Sequence, residues 1–179
     1  LSFTGSASVA RQLRAHPAVV ANSVPFNAEA DSLNAAILGA DIREDDPEFD
    51  LFVTEVHREM TVKAGQKCTA IRRILVPEAQ IDAVQKALTD RINATKPDDM
   101  GRLVSPAQAQ DVKAAVDQLE AEARIVTGGA ERGTWHPPTL LRCDAPLKAR
   151  TVHEVEAFGP VATLMPYATT AQAVEIANR

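Results

Sequence analysis

The sequence predicts an α/β layered fold. Short apolar runs of strand length, residues 71–76 and 161–165, alternate with longer runs whose apolar residues recur at helical spacing, such as Phe49, Phe52, Val53, Val56 and Met60. Helix-start signals stand between them. Asp46-Pro47-Glu48 puts proline and acid into a first turn, and Ser105-Pro106-Ala107-Gln108 reads as a capped start. Strands alternating with helices in this way pack as layers.

The elements follow in order. Phe3 closes a strand, Thr4-Gly5-Ser6 turns, and Ser6 caps a helix with Val9 and Leu13 inward. Pro17 stops that helix, and residues 18–24 read as a second strand. An irregular stretch carries Glu29 and Asp31, which point the same way if the backbone is extended, and residues 35–39 form a short buried strand. The helix opened by Asp46 runs to about Ala64, with Gly65 as its stop. After the strand at 71–76, a helix begins at Pro77 with Ile81, Val84, Leu88 and Ile92 inward. Residues 96–99 read as a loop, and the helix from Ser105 buries Val112, Val116 and Leu119. A strand at 124–126 ends at Gly128-Gly129, and a bend at Trp135-His136-Pro137-Pro138, with His136 structural, precedes 139–141. Gly159-Pro160 forces a turn after Glu154, Glu156 and Phe158. The strand at 161–165 follows, and Thr170 caps a last helix. The chain starts inside a strand–turn–helix junction and stops inside a helical pattern, so a piece of a longer protein is expected.

Composition excludes several classes. The 179 residues suffice for one domain, or one with part of another, and for a real core. A formal net charge of −5 argues against a nucleic-acid or anionic-membrane partner. No run approaches the ~18 apolar residues of a membrane span. Cys68 and Cys143 stand far apart, with no Cys-x-x-Cys or Cys/His spacing. Neither a disulfide framework nor a metal site is expected, and a reducing cytoplasmic compartment is the default.

The stretch Ala64-Gly65-Gln66-Lys67-Cys68-Thr69-Ala70 carries the chemistry. It sets a thiol in a polar loop between a helix and a strand. A free thiol is only a few per cent thiolate at neutral pH. Backbone N–H groups at a helix end stabilise negative charge formed nearby. Read without context, Cys68 could equally be a small buried hydrophobe in a non-catalytic module, or the nucleophile of a cysteine hydrolase served by His57 or His153. His57 lies off the apolar stripe, some three turns back along its helix.

Four pieces stand in one order: Phe3-Thr4-Gly5-Ser6, Glu29, Gly65-Gln66-Lys67-Cys68, and Glu156-Ala157-Phe158-Gly159-Pro160-Val161. In this the chain resembles the NAD(P)-dependent aldehyde dehydrogenase superfamily along its whole length. The runs Glu29-Ala30-Asp31-Ser32-Leu33-Asn34 and Arg58 through Arg73 are similar to the dehydrogenase half of the bifunctional ring-opening enzymes of phenylacetate degradation. The resemblance implies an incomplete three-layer αβα catalytic domain at 28–179, preceded by the tail of a Rossmann-like NAD(P)-binding domain at 1–27. It implies Cys68 as nucleophile and Glu29 as the base that activates water, with Asp31 a lesser candidate. Gly5 and Ser6 would face the phosphate and nicotinamide end of NAD or NADP, Glu156 its ribose, and Phe158 its ring. The implied substrate is a small-molecule aldehyde, a CoA-linked semialdehyde, oxidised to the acid by a full-length homo-oligomer. The isolated piece would be inactive. Two departures stand out. The family's Glu-Leu-Gly-Gly-Lys is here Glu29-Ala30-Asp31-Ser32-Leu33, and an acidic segment at 43–50 lengthens the step from Glu29 to Cys68.

Overall fold

The computed structural model describes residues 1–129 and 133–179, which divide into two compact units, Leu1–Ser32 and Leu33–Arg179. In the first, strands β1 (Ser2–Gly5) and β2 (Asn27–Ala30) pair in parallel and set Thr4 beside Glu29. Helices α1 (Ala7–Arg14) and α2 (Pro17–Ala21) connect them. Ser6 caps α1 as expected, its hydroxyl accepting from the Val9 N–H at 3.4 Å. The buried face differs: Ala10 is buried and Val9 is 40% exposed. Residues 18–24, read as a strand, hold α2 instead. Pro17 presets the φ of the first helical position, and His16 Nδ1 accepts from the Ala18 N–H at 3.3 Å. The proline that follows one helix therefore starts the next.

The second unit is built on β3 (Asn34–Ile37), β4 (Ile71–Pro77), β5 (Arg124–Thr127), β6 (Thr139–Arg142) and β7 (Val161–Tyr167). They form one sheet in the order β3-β4-β7-β6-β5, parallel except for β5. Among the described residues, five α-helices accompany it: α3 (Pro47–Thr61), α4 (Ile81–Ala94), α5 (Pro97–Met100), α6 (Pro106–Leu119) and α7 (Thr170–Ala177). Ile74, Val76, Leu140 and Leu164 pack with Phe49, Val53 and Val56 of α3 and Val84 and Leu88 of α4. Leu75, Leu141 and Met165 join Val112, Val116 and Leu119 of α6 and Ile176 of α7 in a second cluster. Successive residues of β4 and β7 thus enter opposite layers, as the strand period of two requires. Helices cover both faces of a parallel sheet, which is why its central strands read as unbroken apolar runs.

Several boundaries move. Residues 96–99, read as a loop, open α5, with Pro97 at its first position and Asp99 accepting from the Lys96 N–H at 3.3 Å. The strand expected to be buried at 35–39 is the half-buried edge strand β3. Thr169, not Thr170, caps α7. α3 ends at Thr61, and a 3₁₀ turn, Val62–Gly65, follows. Gly65 has φ +66, and a Cβ there would overlap the Gly159 carbonyl and lie 2.9 Å from Pro160 N.

Two arginines are buried in β4. Arg73 donates through Nη1 to Ile176 O and through Nη2 to Ala177 O, each at 3.1 Å, and closes the carbonyl end of α7. Its Nη1 also lies 3.3 Å from His153 Nδ1, while His153 Nε2 lies 2.9 Å from Pro146 O. Nε2 therefore carries the proton and Nδ1 accepts. Burial, reinforced by the Arg73 and Arg179 charges, holds the His153 imidazole below its ordinary value against the opposing Pro146 bond. Burial, then Arg91, does the same to His57.

Two outcomes are expected. Both imidazoles are harder to protonate in the fold than in the unfolded chain, so below the unfolded value near ~6.5 the unfolded chain binds more protons, and stability is full above that pH and falls below it. Urea unfolding midpoints should drop between pH 7.5 and 5.5, and drop less in His57→Asn; equal pH sensitivity in the variant would contradict this for His57. Gly65→Ala should lose more than about 2 kcal/mol through strain and overlap. Gly133→Ala, at φ +62 with open space around it, should lose only about 1 kcal/mol. Equal losses in denaturant titration would rule out the packing contribution.

Candidate active site

The chain reaches Cys68 through three successive left-handed residues, Lys63 (φ 55), Ala64 (φ 51) and Gly65. For the two non-glycines this costs roughly 1–2 kcal/mol each. Hydrogen bonds from elsewhere hold the turn. Asn34 Nδ2 donates to Cys68 O at 2.7 Å and to Ala70 O at 3.1 Å. Gln66 Nε2 donates to Lys63 O at 3.0 Å and to Arg102 O at 3.2 Å, and its Oε1 accepts from the Val104 N–H at 2.9 Å. Lys67 Nζ pairs with Glu59 of α3 at 2.6 Å. The Ala70 N–H donates to Lys67 O, so Cys68 sits at the tip of a tight turn with its thiol exposed. The Cys68 N–H has no hydrogen-bond partner among the described residues. Cys143 is the opposite case: it is buried, and burial pushes its thiol up.

The segment Glu156-Ala157-Phe158-Gly159-Pro160 lies against this loop. Gly159 N–H donates to Ala157 O at 2.7 Å, Gln108 Nε2 to Phe158 O at 2.9 Å, and Thr139 N–H to Pro160 O at 2.8 Å. A Cβ on Gly159 would meet Val112 at 2.8 Å, so glycine is required there by packing. Arg72, its side chain 3% exposed, ties the two segments together. Its Nη2 donates to Gly65 O at 2.8 Å, Nη1 to Gly159 O at 2.6 Å, and Nε to Glu156 Oε1 at 3.3 Å. Its guanidinium carbon stands 5.6 Å from the centre of the Phe158 ring. Burial draws the guanidinium below its ordinary value, and the charge and hydrogen bond of Glu156 oppose that.

Within the second unit the structure thus brings Cys68, Glu156 and Phe158 to one region. Gly5, Ser6 and Glu29 belong to the first unit. Glu29 is exposed on β2 beside Thr4. Asp31 has φ 48, which breaks the extended run that would have aligned it with Glu29, and its Oδ1 accepts from the Ala7 N–H at 3.0 Å. Asp31 is therefore occupied in completing the cap of α1. The histidines of the alternative hydrolase reading are likewise engaged elsewhere: His57 Nε2 lies 2.7 Å from Thr95 Oγ1, and His153 uses both ring nitrogens. His136 is buried with Nδ1 2.9 Å from Pro137 O. Among the described residues no group of three or more His, Cys, Asp or Glu could hold a metal ion. Sequence reading passed over Asn34 and Arg72. The available signal was a pair of arginines inside an otherwise apolar parallel strand, which must find partners when buried.

The Aldehyde dehydrogenase family model matches residues 1–179. The chain is 48% identical over 196 residues to 3,4-dehydroadipyl-CoA semialdehyde dehydrogenase of Aromatoleum evansii, covering all of this chain and 38% of that protein. Betaine aldehyde dehydrogenase of Staphylococcus aureus, solved in complex with NAD+, is similar in structure, with a TM-score of 0.83 at 30% identity over 99% of this chain and 36% of that one. An aldehyde dehydrogenase of Bartonella henselae gives 0.82 at 28% identity over 99% and 38%. The chain spans little more than a third of the length of these relatives. With the family model matching from end to end, the chain belongs to the aldehyde dehydrogenase family.

Proposed function

We propose that the full-length protein oxidises an aldehyde to a carboxylic acid with NAD or NADP, and that this chain carries its nucleophile, Cys68. The observation that supports this most directly is the exposed thiol at the tip of a restrained turn, with its own backbone N–H available. The Cys68 sulfur attacks the aldehyde carbon and forms a thiohemiacetal, whose oxyanion the Cys68 N–H faces. Loss of hydride from that carbon leaves a thioester on Cys68. Glu29 takes a proton from water, which hydrolyses the thioester and returns the thiol. The chemistry that NAD or NADP supplies when bound is a hydride acceptor.

The residues suit such a group. Glu156 offers an acceptor-only carboxylate, which matches ribose hydroxyl donors. Phe158, 38% exposed on the same segment, offers a flat apolar surface to a planar ring. Gly5 and Ser6, at a strand-to-helix turn, are assigned to the phosphate and nicotinamide end. Residues 1–27 are the remnant of the nucleotide-binding domain and 28–179 the catalytic domain. The substrate class is a CoA-linked semialdehyde of phenylacetate catabolism, supported by the likeness to 3,4-dehydroadipyl-CoA semialdehyde dehydrogenase. The enzyme is assigned to the cytoplasm and to a homo-oligomer.

In the full-length protein Cys68→Ala should lower turnover at least about 10³-fold. Glu29→Gln should keep a first burst of NAD(P)H of one equivalent per site, with steady turnover slowed about 10²–10³-fold. Turnover that survives Cys68→Ala would exclude the mechanism. Titration calorimetry of the isolated 179-residue chain with NADP+ should give no micromolar binding, and a clear signal there would contradict the assignment of most cofactor contacts to other residues.

A further inference from the structure

We infer that Arg72 is a positioning residue for the nicotinamide cofactor, locking the Cys68 loop and the Glu156–Phe158 segment into one arrangement; this rests on the dehydrogenase reading above. The argument begins with what Arg72 touches. One guanidinium reaches Gly65 O, in the approach to Cys68, at 2.8 Å, Gly159 O at 2.6 Å, and the carboxylate of Glu156 at 3.3 Å. It also faces the ring of Phe158 at 5.6 Å. Two of the four residues assigned to the cofactor, Glu156 and Phe158, therefore meet the same side chain that holds the nucleophile loop.

Stability alone is a poor reason for this arrangement. Burying a guanidinium costs several kcal/mol, and an apolar replacement of a buried ion pair is often neutral or better. The neighbours Ile74, Leu75 and Val76 show that the strand accepts apolar side chains. What an apolar residue cannot do is orient a carboxylate. The Arg fork presents donors in fixed directions, so Glu156 meets a ribose already in place, and the ordering cost of binding falls. Lysine would keep the charge but could not bond two carbonyls and a carboxylate in those directions.

The test uses the full-length protein with NAD+ and NADP+ titrated separately. Arg72→Lys should melt within a few degrees of wild type and bind the preferred nucleotide about ten-fold more weakly, with the KM for aldehyde changed less than about three-fold. Amide hydrogen exchange should rise together in residues 62–68 and 156–160. The losses caused by Arg72→Lys and by Glu156→Gln should not multiply: in the Glu156→Gln background Arg72→Lys should weaken nucleotide binding by less than about two-fold further, whereas a residue acting independently of Glu156 would add its full loss. Arg72→Lys that binds nucleotide as wild type does, or losses that multiply in the Arg72→Lys/Glu156→Gln double variant, overturns the inference. A wild-type protein without Cys68-dependent reduction of NAD+ or NADP+ overturns the dehydrogenase reading itself, and the cofactor role of Arg72 with it, even where exchange in the two segments remains coupled.

Discussion

Gly65 and Gly159 stand backbone against backbone, with no room for a side chain on either, and the Arg72 guanidinium bonds the carbonyl oxygens of both. The geometry around Cys68 depends on this contact. Two non-glycine residues in the left-handed region precede it, at roughly 1–2 kcal/mol each. The two Arg72 bonds fix where the turn and the Gly159 segment meet, while the cost of burying the guanidinium cancels much of what they contribute to stability.

Sheet topology explains why these segments meet. β4 and β7 are parallel neighbours, with Arg73 opposite Thr163. The chain entering β4 carries Gly65 to Ala70, and the chain entering β7 carries Glu156 to Pro160. Parallel pairing puts both entrances at the same edge of the sheet. β3 joins them, since Asn34 at its first position is opposite Ile71 and holds the Cys68 and Ala70 carbonyls. The nucleophile thus lies where strands begin, whereas open α/β sheets commonly bind ligands at the carboxyl ends of their strands.

Much of the layered fold was legible because its signals are local. The apolar stripe of α3 and the capped start of α6 appear in the structure at the positions their sequence patterns demand. The misreadings have local causes too. Residues 18–24 carry β-branched valines and read as a strand, yet His16 and Pro17 cap and start a helix there. Asp31 read as pointing the same way as Glu29, but its left-handed backbone turns it to the first turn of α1.

Cys68 and the Glu156–Pro160 segment were visible as motifs, and their order carried the family, because chain order is a property of sequence. Arg72 and Asn34 were not visible in that way. A buried charge is intelligible only through its partners, and those of Arg72 lie 7, 84 and 87 residues along the chain. The sequence by itself determined the periodicities, the caps and the order of the motifs, since each depends on neighbours a few residues apart. Only the tertiary structure decided which backbone presses on which and where a guanidinium finds its acceptors, because parallel strand pairing brings distant segments to one edge.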